Sequence, residues 1–263
     1  MAIVDDVGRA TLAGVATLRE KLDFIGETCC AALYVLIRPR AFRFGDFALA
    51  FQRSAYGGLG ISTGIGFLLG VILAFQSAAA LKQFGVEVYI ADLLAIGLFR
   101  ELGPLVTAII LAGRSGSAFA AELGIMKVNE ELDALTTMGL PPVRFLVMPR
   151  IAAAMMAMPV LTIFAELAGL IGGAIVLNVM NVPTVVFWRH ITETSTMFMI
   201  LFGLAKGALF GVIVGITGCS AGMRARKTSD GVGTAATAAV VGSIVAIAIA
   251  DGLLALICYI WNI

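Results

Sequence analysis

Hydrophobic and polar positions fall into two regimes along this chain. Over residues 1–45 apolar side chains recur at three- and four-residue steps, as in Leu12, Val15, Leu18, Leu22, Ile25, Cys29, Leu33 and Leu36, with Arg9, Arg19, Glu20, Lys21 and Glu27 between them. That spacing puts one apolar stripe on a helix whose other face is charged, a pattern shared by interfacial helices lying among lipid headgroups and by ordinary solvated helices. The apolar run Cys29–Ile37 is too short to cross a bilayer, and Arg38-Pro39-Arg40 closes it. Beyond residue 46 the pattern changes: apolar stretches repeatedly reach the roughly 20 residues that a hydrocarbon core about 30 Å thick demands. They predict five spans, near residues 59–80, 90–112, 151–180, 197–219 and 235–260. The expected fold is an all-α membrane protein with an N-terminal interfacial helix, residues 1–45, and one transmembrane domain, residues 46–263.

Breaks in the apolar pattern refine this picture. The third stretch contains Pro159 and Glu166 and is longer than a perpendicular crossing needs, which predicts a tilted or kinked helix. A loop holding Pro183, Arg189 and His190 is expected before the fourth span, and Tyr259 and Trp261 end the fifth, as aromatics do at a membrane interface. Lys and Arg cluster before span one (Arg38, Arg40, Arg43 and Arg53 among them), between spans two and three (Arg114, Lys127, Arg144, Arg150) and between spans four and five (Arg224, Arg226, Lys227); the opposite loops hold only Lys82 and Arg189. The positive-inside rule then places the N-terminus in the cytoplasm and the C-terminus in the periplasm.

Composition agrees with the pattern. The chain is 60% hydrophobic and 13% charged, against about 45–50% and about 25% for soluble domains. A net charge of +1 gives no basis for a nucleic-acid partner. Cys29, Cys30, Cys219 and Cys258 match neither a disulfide framework nor a zinc site and read as small buried apolar residues, and one histidine, His190, leaves little for a metal or a catalytic triad. No ordered signal-peptide pattern opens the chain. There is no G-x-x-x-x-G-K-[ST], so ATP chemistry belongs to another polypeptide, and Gly231-Val232-Gly233 reads as a loop hinge.

Two features point towards function. The polar stretch 114–150 contains good helix formers from Glu122 to Met138 and closes at Gly139-Leu140-Pro141-Pro142, which predicts one short cytoplasmic helix between two spans. Within the spans, Arg100, Glu101, Lys206 and Asp251 are too costly to face lipid and must face a partner, a cavity or water. Lys206 is able to pair with Glu101, and Asp251 to join them. Gly203, Gly207, Gly211 and Gly215 make a smooth stripe suited to close helix packing.

Residues Glu101-Leu102-Gly103-Pro104-Leu105-Val106-Thr107-Ala108, Ala112-Gly113-Arg114-Ser115-Gly116-Ser117-Ala118 and Ala121-Glu122-Leu123-Gly124, followed by Met126-Lys127-Val128, Glu130-Glu131-Leu132-Asp133-Ala134-Leu135 and Met138-Gly139, strongly resemble the MlaE/YrbE permease family. The resemblance implies a homodimeric ABC permease without cofactor of its own, working with an ATPase that binds ATP and Mg, a periplasmic MCE-domain protein and a STAS-domain protein. Such a complex moves phospholipids between inner and outer membranes and maintains outer-membrane lipid asymmetry. It also implies a lipid cavity at Arg100, Glu101, Lys206 and Asp251, and ATPase coupling through Glu122, Lys127, Glu130, Glu131, Asp133 and Gly139. A secondary transporter acting alone and a non-transporting scaffold are the competing classes; the first predicts internal inverted repeats, and the two halves of the chain show none.

Overall fold

The structure, a computed structural model, describes residues 2–84 and 86–261, with side chains for all of these except residues 2–18, 21, 41 and 261. Helix α1 (Ala2–Ile37) runs to the Arg38-Pro39 break, and α2 (Phe44–Leu81) carries the first span. The second span is a composite of α3 (Ile90–Ile96), α4 (Gly103–Leu111) and α5 (Ser117–Val128), joined through π-helical segments at Gly97–Leu102 and Ala112–Gly116. A short α6 (Glu131–Thr137) precedes α7 (Met148–Val179), itself led in by a π-helical turn at Val143–Val147. Then come α8 (Thr184–Thr194), α9 (Met197–Met223) and α10 (Ser229–Trp261). Five of the continuous helical stretches are long and apolar enough to cross a membrane: Phe44–Phe84, Glu87–Val128, Val143–Val179, Met197–Met223 and Ser229–Ile260.

Several boundaries differ from the sequence reading, each for a local reason. The helix that carries the first span starts at Phe44, well before residue 59. Gln52 and Arg53 interrupt the apolar pattern there, but Arg53 sits on a helix face where it meets Glu122 at 3.3 Å. The helical stretch that carries the second span does not end near residue 112. It continues to Val128 because Arg114 finds a partner, its Nη1 donating to the Arg53 carbonyl at 3.0 Å, while Ser117 bonds back to the Gly113 carbonyl at 2.6 Å. The expected single helix from Glu122 to Met138 is therefore two, α5 and α6, broken where Glu130 takes a left-handed φ of 62°. Between the helical stretches that carry the second and third spans lie only the residues between Val128 and Val143, inside the expected 114–150. The 181–196 segment holds α8, and Gly231 and Gly233 lie inside α10 instead of forming a hinge. Cys29 and Cys30 are exposed; Cys219 and Cys258 are buried.

Helix α7 is the axis of the bundle: it packs chiefly against α2 and α9 and also touches α4. Small residues set these spacings. A Cβ on Gly70 would fall 1.8 Å from the Gly169 carbonyl oxygen, and one on Gly211 would fall 2.6 Å from that of Ala154, so the α2–α7 and α7–α9 crossings are backbone-to-backbone. The glycine stripe of α9 is thus consumed by packing within the subunit. Large apolar groups fill the remaining space, Leu111, Leu123, Met158, Leu161 and Phe210 among them, all less than 2% exposed.

Candidate functional site

The centre of the second span carries an unusual backbone. Pro104 has no N–H to give the carbonyl four residues back, so the Arg100 oxygen loses its ordinary helical donor. The helix widens instead, with the Gly103 N–H reaching the Leu98 carbonyl, five residues back. Lys206 of α9 supplies a replacement: its Nζ approaches the Arg100 carbonyl at 3.4 Å.

That ammonium is the hub of an ion cluster. Lys206 is 3% exposed overall. Its Nζ donates to Glu101 Oε2, and Asp251 Oδ1 of α10 lies 2.5 Å from it. The Asp251 approach is off the hydrogen-bond axis, so this second contact is ionic rather than an aligned hydrogen bond. The Phe210 ring lies 5.9 Å below the ammonium. Three spans therefore meet through one lysine; Lys206 lies nine residues after Met197, and Asp251, on the neighbouring helix, nine residues before Ile260. At about 1.5 Å per residue the cluster sits about 14 Å from the same end of both helices. The two carboxylates are unequal, with the Glu101 side chain 38% exposed and that of Asp251 20%.

Arg100 meets the hub through its carbonyl. It lines a neighbouring cavity of 220 Å³ with Thr196, Phe198, Met199, Phe202 and Cys258. The cavity combines one permanent cation with mostly apolar walls, a combination that suits an anionic amphiphile. Thus the structure joins Glu101, Lys206 and Asp251 directly and puts Arg100 next door.

The six residues assigned to coupling separate into two groups. Glu122 is held between Arg53 at 3.3 Å and Arg150 at 3.0 Å, and Lys127 Nζ donates to the Met223 carbonyl at 2.7 Å. These two fasten α5 to α2, α7 and α9. Glu130, Glu131 and Asp133 are exposed on and before α6, and Gly139 ends it with φ of 74°. Lys227, from the turn between α9 and α10, bridges Asp133 at 2.8 Å and Glu130 at 3.3 Å. The hydrogen bond from Lys227 holds the Asp133 carboxyl below the ordinary carboxylate range, and the same bond raises the Lys227 ammonium. The chain just beyond α6 adds apolar Met138, 65% exposed.

One cluster escaped the sequence reading. On α8, His190 Nδ1 lies 3.3 Å from both Asp92 oxygens, and Thr194 Oγ1 donates to Asp92 Oδ1 at 2.5 Å, pinning α8 to α3. The Arg189/Glu193 pair, four residues apart and 2.7 Å in separation, was the available sign of a helix there. Glu166, left unassigned from sequence, is buried in the middle of α7 beside Gly103.

Comparison with known proteins places this architecture. Residues 47–257 match the family model described as Permease MlaE. A probable ABC transporter permease of Rickettsia bellii is 32% identical over 260 residues, 96% of each chain. A probable ABC transporter permease of Synechocystis is 38% identical over 186 residues, 70% of each chain. The intermembrane phospholipid transport system permease protein MlaE of Haemophilus influenzae is 37% identical over 178 residues, covering 67% of this chain and 68% of the relative. With five apolar spans, a helical bundle and a family match over most of its length, this chain belongs to the MlaE family of ABC transporter permeases.

Proposed function

We propose that this multi-pass protein is the permease subunit of an ATP-driven transporter that moves phospholipids between the inner and outer membranes, maintaining outer-membrane lipid asymmetry. In this reading it works as a homodimer, its N-terminus is cytoplasmic and its C-terminus periplasmic. ATP and Mg are handled by a separate ATPase subunit, and a periplasmic MCE-domain protein and a STAS-domain protein complete the assembly. The observation that carries the reading is the charged site inside the bundle: a sealed lysine clasped by carboxylates from two other spans, beside an apolar cavity lined by Arg100. A guanidinium in such walls recognises a phosphodiester, while the cavity accepts acyl chain.

Coupling falls to α6 and its flanks. Glu130, Glu131, Asp133 and Met138 present an acidic and apolar surface, Gly139 ends the helix, and Glu122 and Lys127 brace the helix behind it. A load applied to α6 passes through Lys227 to the turn joining α9 and α10, the two helices that carry Lys206 and Asp251. The test is reconstitution with the copurified ATPase in proteoliposomes. Lipid-stimulated hydrolysis and transfer of labelled phospholipid are expected, and ATPase activity indifferent to lipid, with no transfer, refutes the proposal.

A further inference from the structure

At the basic end of the bundle two arginines far apart in sequence converge on one aromatic ring. The Arg144 guanidinium carbon lies 4.2 Å from the centre of the Tyr34 ring and that of Arg38 lies 5.6 Å from it. The two cations are therefore no farther apart than the sum of those distances. The adjacent pair repeats the motif in reverse, with Arg43 stacked on Phe145 at 3.9 Å. Arg43 is neutralised by Asp46 at 2.8 Å. Arg38, Arg40 and Arg144 are exposed, and among the described residues none of them meets a carboxylate. Like charges that share one ring without a counter-charge repel, and cation–π attraction offsets that only in part. An anion that accepts from both removes the repulsion.

The surroundings indicate which anion. Leu36 and Ile37, at the end of α1, are 77% and 78% exposed, and Phe44, opening α2, is 64% exposed. Such side chains next to guanidiniums place apolar contact and positive charge side by side, as at the boundary between acyl chains and headgroups. We infer that Arg38 and Arg144, stacked on Tyr34 and supported by Arg40, form a headgroup site for an anionic phospholipid of the surrounding bilayer, fastening α1 to the lead-in of α7. The phosphodiester accepts from both guanidiniums, and the acyl chains lie along Leu36, Ile37 and Phe44. This site is separate from the Arg100 cavity and does not rest on the transport reading. It requires only that the chain sits in a membrane.

The experiment is native mass spectrometry of the purified full-length protein in mixed micelles, titrated with phosphatidylglycerol against phosphatidylcholine of the same chains. Wild-type protein is expected to retain phosphatidylglycerol with about tenfold preference, since each basic residue contributes to anionic-lipid attraction. Arg38→Gln with Arg144→Gln should abolish the preference, Lys82→Gln should keep it, and inorganic phosphate should not compete. Equal retention of the two lipids by wild-type protein overturns the inference without requiring any variant to fold. So does an unchanged preference in the double variant, or competition by inorganic phosphate, which would mark a free-phosphate site. Loss of ATPase copurification with lipid preference intact would assign the arginines to a protein partner and overturn it too.

Discussion

Replacing Lys206 with Met removes one charge and strands two. In the native protein the ammonium is almost wholly sealed and touches Glu101 and Asp251 together. Breaking a buried ion pair by deleting one partner costs about 3–5 kcal/mol, because the remaining charge keeps its desolvation penalty without compensation. The two carboxylates do not share that cost equally. With its side chain 38% exposed, Glu101 is screened and contributes a reduced fraction, while Asp251 at 20% is the more deeply committed. Lys206→Met should thus destabilise the protein by about 3–5 kcal/mol. Adding Asp251→Asn should restore more than half of the loss, and adding Glu101→Gln distinctly less. The assay is the unfolding midpoint in mixed dodecyl maltoside and SDS micelles, read with the level of each variant in isolated membranes. Equal values for Lys206→Met and both doubles, or stronger rescue by Glu101→Gln, would refute the reasoning: the carboxylates would then be stabilised by something other than the lysine.

Arg100→Ala should lower the phospholipid copurifying with the protein several-fold while Lys82→Ala leaves it unchanged, as measured by lipid mass spectrometry; equal content in all three would make Arg100 structural. Glu130→Lys with Glu131→Lys should insert normally but lose ATPase copurification or uncouple hydrolysis from transfer, and normal transport by this variant would remove coupling from α6. The Asp133–Lys227 contact carries a definite pH sign. A depressed carboxyl stabilises above its unfolded pKa near 3.9 and loses that contribution as pH falls through the lower folded value; a raised ammonium stabilises below about 10.4 and loses it as pH rises through the higher one. Protection of residues 131–137 in hydrogen exchange, corrected for the intrinsic rate, should consequently stay flat from about pH 5 to 9, and a slope inside that window would contradict the pairing. Gly70→Ala should destabilise by about 1–3 kcal/mol or more through overpacking against Gly169, whereas Gly60→Ala, with nothing within 4 Å of the added Cβ, should be nearly silent in the same unfolding assay.

The sequence made the five spans legible because twenty apolar residues in water-free surroundings have few alternatives to a helix. It made Glu101, Lys206 and Asp251 legible for the complementary reason, that a charge at bilayer depth demands a partner. What it hid were consequences of partners distant along the chain. Arg53, Glu122 and Arg150 look like loop residues until they are seen to neutralise one another across three helices, and only then do α2 and α5 extend past their apolar stretches. The break at Glu130 depends on a single left-handed residue with no Gly to announce it. Helix α8 was obscured by Pro183 and by polar groups whose acceptor, Asp92, lies far back in the chain. The widened turn at Gly97–Leu102, which accompanies the missing donor of Pro104, is likewise something apolar periodicity does not register.

The packing of α2 on α7 also has a meaning in time. The first span's main partner is the third span, and the groove at Gly66 and Gly70 is filled by the backbone at Ala165 and Gly169. During synthesis α2 therefore enters the membrane without the surface it was shaped to meet, and the chain from Lys82 to Val147 must be made before that surface begins to emerge. At roughly 5–20 residues per second this is an interval of several seconds. A smooth glycine groove facing lipid through that interval is open to any small-residue helix that passes. Keeping the first span unpaired until its own partner arrives is then a task for the insertion machinery.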